Sequence, residues 1–316
     1  MKKKLLILGS TGMVGSSLLR IAKKKRIYKI LNPNRKKLDL KKFNQIVRYL
    51  KKFKPDVIVN CAAMVGGVHS NNTKPAQFIY NNLVIQTNLI HAAYKGKIKK
   101  LIFLGSSCIY PRNSKQPIKE DYLLSGYLEK TNEPYAIAKI AGIKMCEAYR
   151  REYGCNFISV MPTNLYGIND NFDKYDSHVM PALIRKFAEA KESNANEVEI
   201  WGTGKPKREF LFVDDLAEAI LTIDKKYNDI KPINVGFGED ISIKKLSYKL
   251  KKLFKFNGKI KFNKDFPDGT PRKLLDVKQI EKLGWRPKTS LEKGLIKTMN
   301  WYKKNYIKNN YTKNNV

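Results

Sequence analysis

The sequence predicts an α/β fold, a Rossmann-type doubly wound parallel sheet with a smaller mixed α/β substrate domain. Strand-like and helix-like segments alternate through the first half, a glycine-rich turn follows the first strand, and the pattern loosens after Gly167. Such alternation gives a parallel sheet with helices on both faces, because the crossovers are right-handed. A chain of 316 residues is long enough for one large domain or two unequal ones.

The first half contains five predicted strands and four helices, without internal repeats. Apolar runs predict the strands, and apolar residues at helical spacing predict the helices. The strands are KLLILG, IYKIL, PDVIVNCAA, KKLIFLGSS and NFISVMPTNLYG. The helices are GMVGSSLLRIAKKK, LKKFNQIVRYLKKF, PAQFIYNNLVIQTNLIHAAYK and AIAKIAGIKMCEAYRREYG, the last closed by Gly154.

The second half mixes shorter elements. VMPALIRKFAEAKES predicts a helix and VEIWGTG a short strand, and REFLFVDDLAEAILTI predicts a strand followed by a helix with Asp214 or Asp215 as its N-cap. We therefore predict a larger sheet domain from residues 1–165 and about 209–238. The smaller, interleaved substrate domain then comprises about 166–208 and 239–316.

Composition narrows the cellular setting. No apolar run reaches the ~18 residues of a membrane span, and the leading LLIL is shorter than the ~7–15 apolar residues of a signal peptide. The four cysteines show neither metal-ligand nor CxxC spacing, which favours free thiols in a reduced compartment. We expect a cytoplasmic protein with no metal and no membrane attachment.

The formal net charge of +34 argues for a nucleic-acid partner. The lysines, however, are spread along the chain, and no arginine-rich arm or RNA-binding aromatic signature is present. Solvated basic faces, with no nucleic-acid partner, are therefore the favoured interpretation, although the charge should still steer anionic small molecules. A basic anion-binding scaffold without catalysis stays as an alternative.

The turn after the first strand predicts a dinucleotide site. Gly9, Gly12 and Gly15 form G-x-x-G-x-x-G in GSTGMVG, where the common fingerprint has G-x-G-x-x-G. Glycines let the backbone turn tightly and approach a pyrophosphate at a helix N-terminus. A plain tight turn is the alternative.

The segment after the second strand favours NADP(H) over NAD. An NAD site usually places an acid there to hold the ribose 2′-hydroxyl. ILNPNRKKLDL has no acid before Asp39, and Arg35 precedes it with its lysine neighbours. A guanidinium pairs well with phosphate. The alternative is that Arg35 is one more surface base.

Tyr135 and Lys139 form Y-x-x-x-K in EPYAIAKIAG, which predicts a proton-transfer pair on one helix face. An ammonium beside a phenol should lower the pKa of the phenol, normally ~10, and suit it to exchange a proton with a carbonyl oxygen. A surface pair on a helix is the alternative. Thirty residues earlier, LGSSCIYP gathers hydroxyls and a thiol at the end of a strand.

Long motifs then point to a family. They are GMVGS, NNTKPAQFIYNN, FLGSSCIYP, TNEPYAIAKIAGIK, SVMPTNLYG, SHVMPALIRKF, REFLFVDDLA and PDGTPRKLLDV. With them the chain resembles the extended short-chain dehydrogenases/reductases over nearly its whole length. Within these it is most similar to the GDP-L-fucose synthase family, NADP-dependent bifunctional enzymes that epimerise GDP-4-keto-6-deoxy-D-mannose at C3 and C5 and reduce the C4 ketone. The resemblance also implies a homodimer.

The resemblance implies a role for each matching position. Ser106, Tyr135 and Lys139 would be the reductase triad, and Cys108 and His178 the acid and base of epimerisation. Contacts with NADP(H) would come from Gly9, Ser10, Thr11, Gly12, Met13, Val14, Gly15, Arg35, Asp39, Leu104, Gly105, Tyr135, Lys139, Pro162, Thr163, Asn164, Leu165 and His178. Contacts with the GDP-sugar would come from Ser107, Asn164, Lys186, Trp201, Arg208 and Asp268.

Some alternatives stay open at this point. Thr11 departs from members that have a basic residue near the 2′-phosphate. Ser107 either contacts substrate or only ends the strand, Cys108 could be a small buried hydrophobic residue, and His178 a capping or core histidine. The rival function within the fold is an NAD-dependent sugar-nucleotide 4-epimerase or 4,6-dehydratase, and such a dehydratase tends to have an Asp–Glu pair that is absent after Ser106.

Overall fold

The computed structural model describes residues 2–266 and 268–307, which form twelve strands and ten α-helices. The strands are β1 (Lys3–Leu8), β2 (Tyr28–Leu31), β3 (Val57–Asn60), β4 (Lys100–Leu104), β5 (Phe157–Pro162), β6 (Asn164–Tyr166), β7 (Glu197–Trp201), β8 (Lys207–Phe212), β9 (Ile233–Val235), β10 (Asp240–Ser242), β11 (Lys259–Asn263) and β12 (Arg272–Lys273). The helices are α1 (Met13–Lys25), α2 (Phe43–Phe53), α3 (Val68–Thr73), α4 (Pro75–Lys95), α5 (Glu133–Tyr153), α6 (Val179–Glu192), α7 (Val213–Lys226), α8 (Ile243–Leu253), α9 (Lys278–Lys282) and α10 (Leu291–Tyr302).

The main sheet is parallel throughout, in the order β2-β1-β3-β4-β5-β9. Its connections run outward from β1 to β2 and then back across β1 to β3 and β4. The strand order therefore reverses beside β1, and ligands bind at such switch points outside the carboxyl ends of the strands. The predicted doubly wound α/β fold is confirmed.

Both faces of this sheet are buried, which explains why its strands are apolar at nearly every position. On β1, Leu5 and Ile7 pack with helices α1 and α7 on one face. Leu6 and Leu8 pack on the other face, in the cluster that includes side chains of α2, α4 and α5. The helices thus cover the sheet on both faces and hold the carboxyl ends of its strands in place.

The smaller domain is organised around β8, which pairs with β6, β10 and β12, while β7 and β11 form a separate parallel pair. Its core joins side chains of α6, α8 and α10. The stretch predicted as one strand, residues 156–167, is divided at Thr163, and its second part, β6, belongs to the sheet of the smaller domain.

The predicted domain limits stay a prediction, and the pairing shows where the chain crosses between the sheets. Residue 165 lies within β6 and residue 209 within β8, so the return to the larger domain comes with α7. Ile280 and Trp285 also pack in the core of the main sheet, although the prediction assigns them to the smaller domain. Residues 308–316 of the predicted domain lie outside the described residues.

The predicted N-cap of α7 is wrong. The helix begins at Val213 with Phe212 at the N-cap position, and both aspartates lie in the first turn. Asp214 accepts a hydrogen bond from the Ser17 hydroxyl at 2.6 Å, and Asp215 accepts one from the Thr289 amide at 3.0 Å. Tertiary contacts hold these carboxylates, and local sequence rules do not include them. Within the described residues, no helix combines the length and apolar character needed to cross a membrane.

A buried lysine links β4 to the end of α7. The Nζ of Lys100 donates to the carbonyls of Ile223, Asp224 and Tyr227 at 3.1, 2.8 and 2.7 Å, and the side chain is almost inaccessible. These carbonyls are at the C-terminal end of the helix, where a cation is favoured. Lys100 therefore joins the main sheet to one of its covering helices.

We predict that Lys100→Met lowers the free energy of unfolding by about 3 kcal/mol, because buried carbonyls lose a charged donor. Lys99→Met is the matched control, since the Lys99 side chain is 80% exposed and forms an ion pair with Asp56 at 3.1 Å. Urea denaturation followed by circular dichroism measures both variants. Equally small decreases in the free energy of unfolding of the two variants would contradict the structural role of Lys100.

Candidate active site

The glycine turn forms an open cradle at the carboxyl end of β1. Gly9 has φ +73°, and a Cβ on Gly15 would come within 2.1 Å of the Gly9 carbonyl oxygen, so neither position tolerates a side chain. Gly12 is the N-cap of α1 and provides no side-chain cap, and the first turn has no acidic residue. The backbone amides and the dipole at the N-terminus of α1 are thus available to bind an anion, and the residues present fit the pyrophosphate of a dinucleotide.

The segment after β2 carries the predicted 2′-phosphate contact. Arg35 is exposed, and in the part of the chain that the structure describes no carboxylate forms an ion pair with it. Asp39 is engaged locally, since its carboxylate accepts from the Lys41 amide and its own amide donates to the Gln45 side chain, both at 3.0 Å. This geometry fits a free guanidinium for a phosphate and a turn-forming role for Asp39.

Helix α5 holds the predicted reductase residues against the end of β4. The Nζ of Lys139 donates to the Leu104 carbonyl at 2.9 Å and lies 5.1 Å from the Phe103 ring centroid. Burial lowers the pKa of Lys139 to about 8, although the neighbouring Cys61 acts in the opposite direction. Ser106 follows directly at the end of β4, and its hydroxyl interacts with the phenol of Tyr135.

The expected lowering of the Tyr135 pKa by Lys139 is wrong for the ligand-free protein. Burial raises the pKa of Tyr135 above its usual value, as does the nearby Cys108, while the hydrogen bond with Ser106 lowers it. The ammonium of Lys139 faces the Leu104 carbonyl and lies 5.8 Å from the centre of the phenol ring, so it does not offset the burial. Tyr135 is therefore a protonated donor at neutral pH.

Cys108 lies in a single turn of 3₁₀ helix, Ser107–Ile109, that begins where β4 ends. Ser106 caps this turn, because its hydroxyl accepts from the Cys108 amide at 3.2 Å. Ser107 is buried beneath it. The order Ser106, Ser107, Cys108 thus has a structural reason. Ser106 caps the turn, Ser107 packs in the interior, and Cys108 stays partly exposed.

Polar groups from distant segments surround the thiol. Its sulfur accepts from the Asn132 amide at 3.3 Å and from the Lys273 ammonium at 3.7 Å. Cys108 is therefore no buried hydrophobic residue. Sequence reasoning did not single out Asn132 or Lys273, although TNEPYAIAK and PDGTPRKLLDV contain them. No local spacing signal links Lys273 to Cys108, because only the fold joins them.

His178 stands at the N-cap of α6 without making a side-chain cap. The residue is exposed, yet desolvation by the surrounding protein lowers the pKa of His178, and the charge of Lys273 lowers it further. The ammonium of Lys273, which lies 3.7 Å from the Cys108 sulfur, therefore acts electrostatically on both residues predicted for epimerisation.

A second group of predicted contacts lies around Trp201. The indole is 54% exposed and stacks on Phe266 with ring centroids 4.3 Å apart and 8° between the planes. Lys186 lies 4.9 Å from the indole centroid and donates to the Glu199 carbonyl at 2.8 Å. Burial lowers the pKa of Lys186. An aromatic face beside an ammonium suits a nucleotide base and phosphate.

Arg208 connects this group to the thiol. Burial lowers the pKa of its guanidinium, while the charges of Cys108, Glu129 and Asp268 raise it. Asp268 itself accepts from the amide and hydroxyl of Thr203 at 2.7 and 2.6 Å, which fixes its loop beside the Trp201 strand. Arg208 therefore lies close enough to Cys108 and to the Asp268 loop to interact electrostatically with both.

The remaining predicted cofactor contacts lie at the ends of β4 and β5. Leu104 and Gly105 are buried beside the Lys139 contact, and Pro162 ends β5. The Thr163 hydroxyl and the Asn164 amide both donate to the Glu209 carbonyl, at 3.4 and 2.9 Å. These two side chains hold β8 near the cleft, and their contacts with ligands stay predictions.

A model of the NAD dependent epimerase/dehydratase family matches residues 5–236. Probable GDP-L-fucose synthase 1 of Oryza sativa subsp. japonica is 50% identical to the chain, covering 96% of it and 92% of the rice protein. The chain belongs to this family, among the GDP-L-fucose synthases. The resemblance seen in the sequence is confirmed.

Two further family members agree with this assignment. GDP-L-fucose synthase of Escherichia coli (strain K12) is 46% identical, over 96% of this chain and 98% of the bacterial one. The crystal structure of a GDP-L-fucose synthetase from Naegleria fowleri bound to NADP matches with a TM-score of 0.89 and 27% identity, over 97% of this chain and 96% of that one. The likeness to these two proteins extends over nearly the whole of this chain.

Among residues 2–266 and 268–307, no three His, Cys, Asp or Glu side chains form a group that could hold a metal ion. All four cysteines are free thiols.

We predict that Lys273→Met raises the pKa of His178, because the substitution removes a positive charge that disfavours the imidazolium. NMR titration of the ring resonances measures this directly, since the chain has three histidines and variants of the other two allow assignment. Lys191→Met, at the far end of α6, controls for net charge. A His178 titration that is the same in both variants would rule out this electrostatic link.

Proposed function

We propose that this protein converts GDP-4-keto-6-deoxy-D-mannose to GDP-L-fucose, by epimerisation at C3 and C5 followed by NADPH-dependent reduction of the C4 ketone. The observation that carries the proposal is the position of Lys273, 3.7 Å from the Cys108 sulfur and electrostatically coupled to His178. It assembles an acid–base pair beside the residues that reduce a ketone. The family assignment supports the same reaction.

The ketone makes the neighbouring carbon atoms reactive. Loss of a proton from C3 or C5 gives an enolate whose charge moves to the C4 oxygen. Ser106 and Tyr135 are placed together at the end of β4 to donate to that oxygen, and one such donor is typically worth ~3 kcal/mol. The protonated state of Tyr135, favoured by its burial, is the state that this role needs.

Inversion needs two groups on opposite faces of the sugar. One member of the pair removes the proton from carbon, and the other delivers a proton to the opposite face. Negative charge on the Cys108 sulfur is stabilised by Lys273 and by the Asn132 amide. His178 is exposed, so exchange with water can restore the starting protonation states of both groups.

Reduction uses the other half of the site. NADPH, when bound, supplies the hydride for C4. Tyr135 gives its proton to the carbonyl oxygen, and Lys139 holds the end of β4 in place and remains available to a ribose hydroxyl. The glycine cradle of Gly9, Gly12 and Gly15 and the free guanidinium of Arg35 are the groups that would hold the phosphates of the cofactor.

Substrate recognition is proposed to use the positive side of the cleft. The charges of Cys108 and Asp268 both act on Arg208, and its guanidinium suits a phosphate oxygen. Trp201, Phe266 and Lys186 form an aromatic and cationic surface for the nucleotide. The site is therefore suited to an anionic sugar nucleotide. An NAD-dependent 4-epimerase or dehydratase would have no use for the thiol–imidazole pair and would consume no NADPH.

A homodimer in the cytoplasm is the accompanying proposal. Tyr80 on α4 and Ile137 and Tyr153 on α5 are exposed, and these two long helices pack side by side on one face of the larger domain. Four free thiols suit a reduced compartment. Analytical ultracentrifugation of the full chain tests the dimer.

We expect Cys108→Ser to stall epimerisation while some ketone reduction persists, because a hydroxyl is a far weaker acid than a thiol (pKa ~8.5) and does not ionise near neutral pH. End-point NMR of the product with GDP-4-keto-6-deoxy-mannose and NADPH should then show unepimerised reduced sugar. Cys155→Ser, a half-buried thiol elsewhere, is the control. Normal fucose formation by the Cys108 variant would remove this residue from the mechanism.

We expect Tyr135→Phe to reduce hydride transfer by about 10²–10⁴-fold, the usual contribution of a positioned proton donor. Loss of absorbance at 340 nm in the presence of the keto sugar and NADPH measures the rate. Tyr248→Phe, which alters an exposed phenol on α8, is the control. A reduction rate equal to that of the control would contradict the role of Tyr135.

A further inference from the structure

Helix α3 lies between the two segments that carry the epimerisation groups. It follows Gly66 and Gly67 at the carboxyl end of β3 and packs on one side against the turn Lys130–Asn132. On the other side its N-terminal end contacts Asp176 and Ser177, which directly precede His178. One short helix therefore touches both the support of the thiol and the support of the imidazole.

The contact on the imidazole side is close and specific. The Gly67 amide donates to the Asp176 carbonyl at 2.9 Å, and the buried hydroxyl of Ser70 donates to the Asp176 carboxylate. A Cβ on Gly67 would lie 2.3 Å from the Ser177 carbonyl oxygen, so only glycine permits this approach. The backbone two residues before His178 is thus fixed by α3.

The imidazole depends on this backbone for its orientation. Among the described residues, no side-chain hydrogen bond is made by the ring of His178, and the residue does not cap α6 with its side chain. What aims the ring is therefore the position of the chain that leads into α6.

On the thiol side, α3 packs against the turn that ends at Asn132, whose amide donates to the Cys108 sulfur at 3.3 Å. The helix is itself held rigid at its start, because the buried Asn71 amide donates to the carbonyls of Gly66 and Gly67, both at 2.9 Å. Movement at one end of α3 is consequently resisted by packing at the other.

We propose that α3 acts as a brace that sets the separation of the thiol and the imidazole, with Ser70 as the positioning residue for His178. The inference rests on the proposed function and goes beyond it, because Ser70 touches neither substrate nor cofactor in that scheme. Tyr135 stands on α5, which begins directly after the turn that α3 contacts, but α5 is also fastened to the end of β4 by the Lys139 bond to the Leu104 carbonyl. We therefore expect the brace to affect epimerisation more than reduction.

Ser70→Ala tests the brace, with Ser70→Thr as the variant that keeps the hydroxyl. We expect uptake of deuterium from D₂O into the keto sugar to slow about tenfold in the alanine variant, since small misplacements of a catalytic group have effects of this size or larger. Reduction measured at 340 nm should change less than twofold, so more product lacks inversion. The threonine variant should recover most of the uptake.

The control and a second route keep the result interpretable. Ser193→Ala removes a comparable hydroxyl bond, to the Glu189 carbonyl at 2.9 Å, at the far end of α6 and should behave as wild type. Asp176→Ala breaks the same contact from the other partner and should reproduce the Ser70→Ala effect, whereas Asp176→Asn keeps an acceptor oxygen and should not. Equal losses of uptake and reduction in Ser70→Ala would overturn the brace.

A measurement without substrate separates this inference from the proposed function. In the ligand-free protein, Ser70→Ala should shift the ring resonances of His178 and leave those of His91, which is hydrogen-bonded to Tyr149 at 2.7 Å, unchanged. Unshifted His178 resonances would overturn the brace whatever the enzyme does. Absence of deuterium uptake in the wild type would instead overturn the proposed function.

Discussion

The hydrogen bond from the Lys139 ammonium to the Leu104 carbonyl is the contact on which the catalytic arrangement depends. It fastens α5, the helix with the phenol, to the end of β4, the strand with the serine and thiol. Gly142 makes the approach possible, because a Cβ there would lie 2.4 Å from the Phe103 ring. Burying an ammonium costs several kcal/mol, which the carbonyl bond and the face of Phe103 partly offset.

The groups proposed for reduction and those proposed for epimerisation are held in place in two different ways. The reductive groups stand on neighbouring elements of the main sheet, whose two buried faces allow little movement. The epimerising groups come from segments far apart in sequence, and Lys273, on the edge strand β12, reaches the thiol from the smaller domain. Under the proposed function, reduction would depend on the rigidity of the larger domain, whereas inversion would also depend on the segments that position Lys273 and His178.

What the sequence predicts well is local. Gly9, Gly12 and Gly15 lie within seven residues of one another, and Tyr135 and Lys139 share one helix face, so spacing alone indicates their chemistry. The doubly wound sheet is predicted from the alternating apolar runs, because each strand and each helix has its own local apolar pattern. His178 and the residues predicted to contact the sugar nucleotide have no such local signal and are predicted only through the resemblance to a family.

What the sequence misses depends on three-dimensional contacts. Asp214 and Asp215 look like N-caps, but their carboxylates bind Ser17 and Thr289 from other elements. The raised pKa of Tyr135 comes from burial, which the i, i+4 spacing to Lys139 does not reveal. The contacts of Lys273 and Ser70 are not predicted from the sequence for the same reason. Nothing local distinguishes these two residues from other polar residues, and only the fold places them beside Cys108 and Asp176.

The proposed roles of Cys108 and His178 require the charges around them to change during the reaction. The ammonium of Lys273 contacts the Cys108 sulfur and lowers the pKa of His178. In the proposed reaction, a sugar nucleotide would bring negative phosphates, and the enolate would add another negative charge beside the ring. Both changes would favour the imidazolium, since opposite charges nearby raise the pKa of a histidine. Under the proposed function, His178 would therefore take up a proton more readily as the substrate binds and reacts.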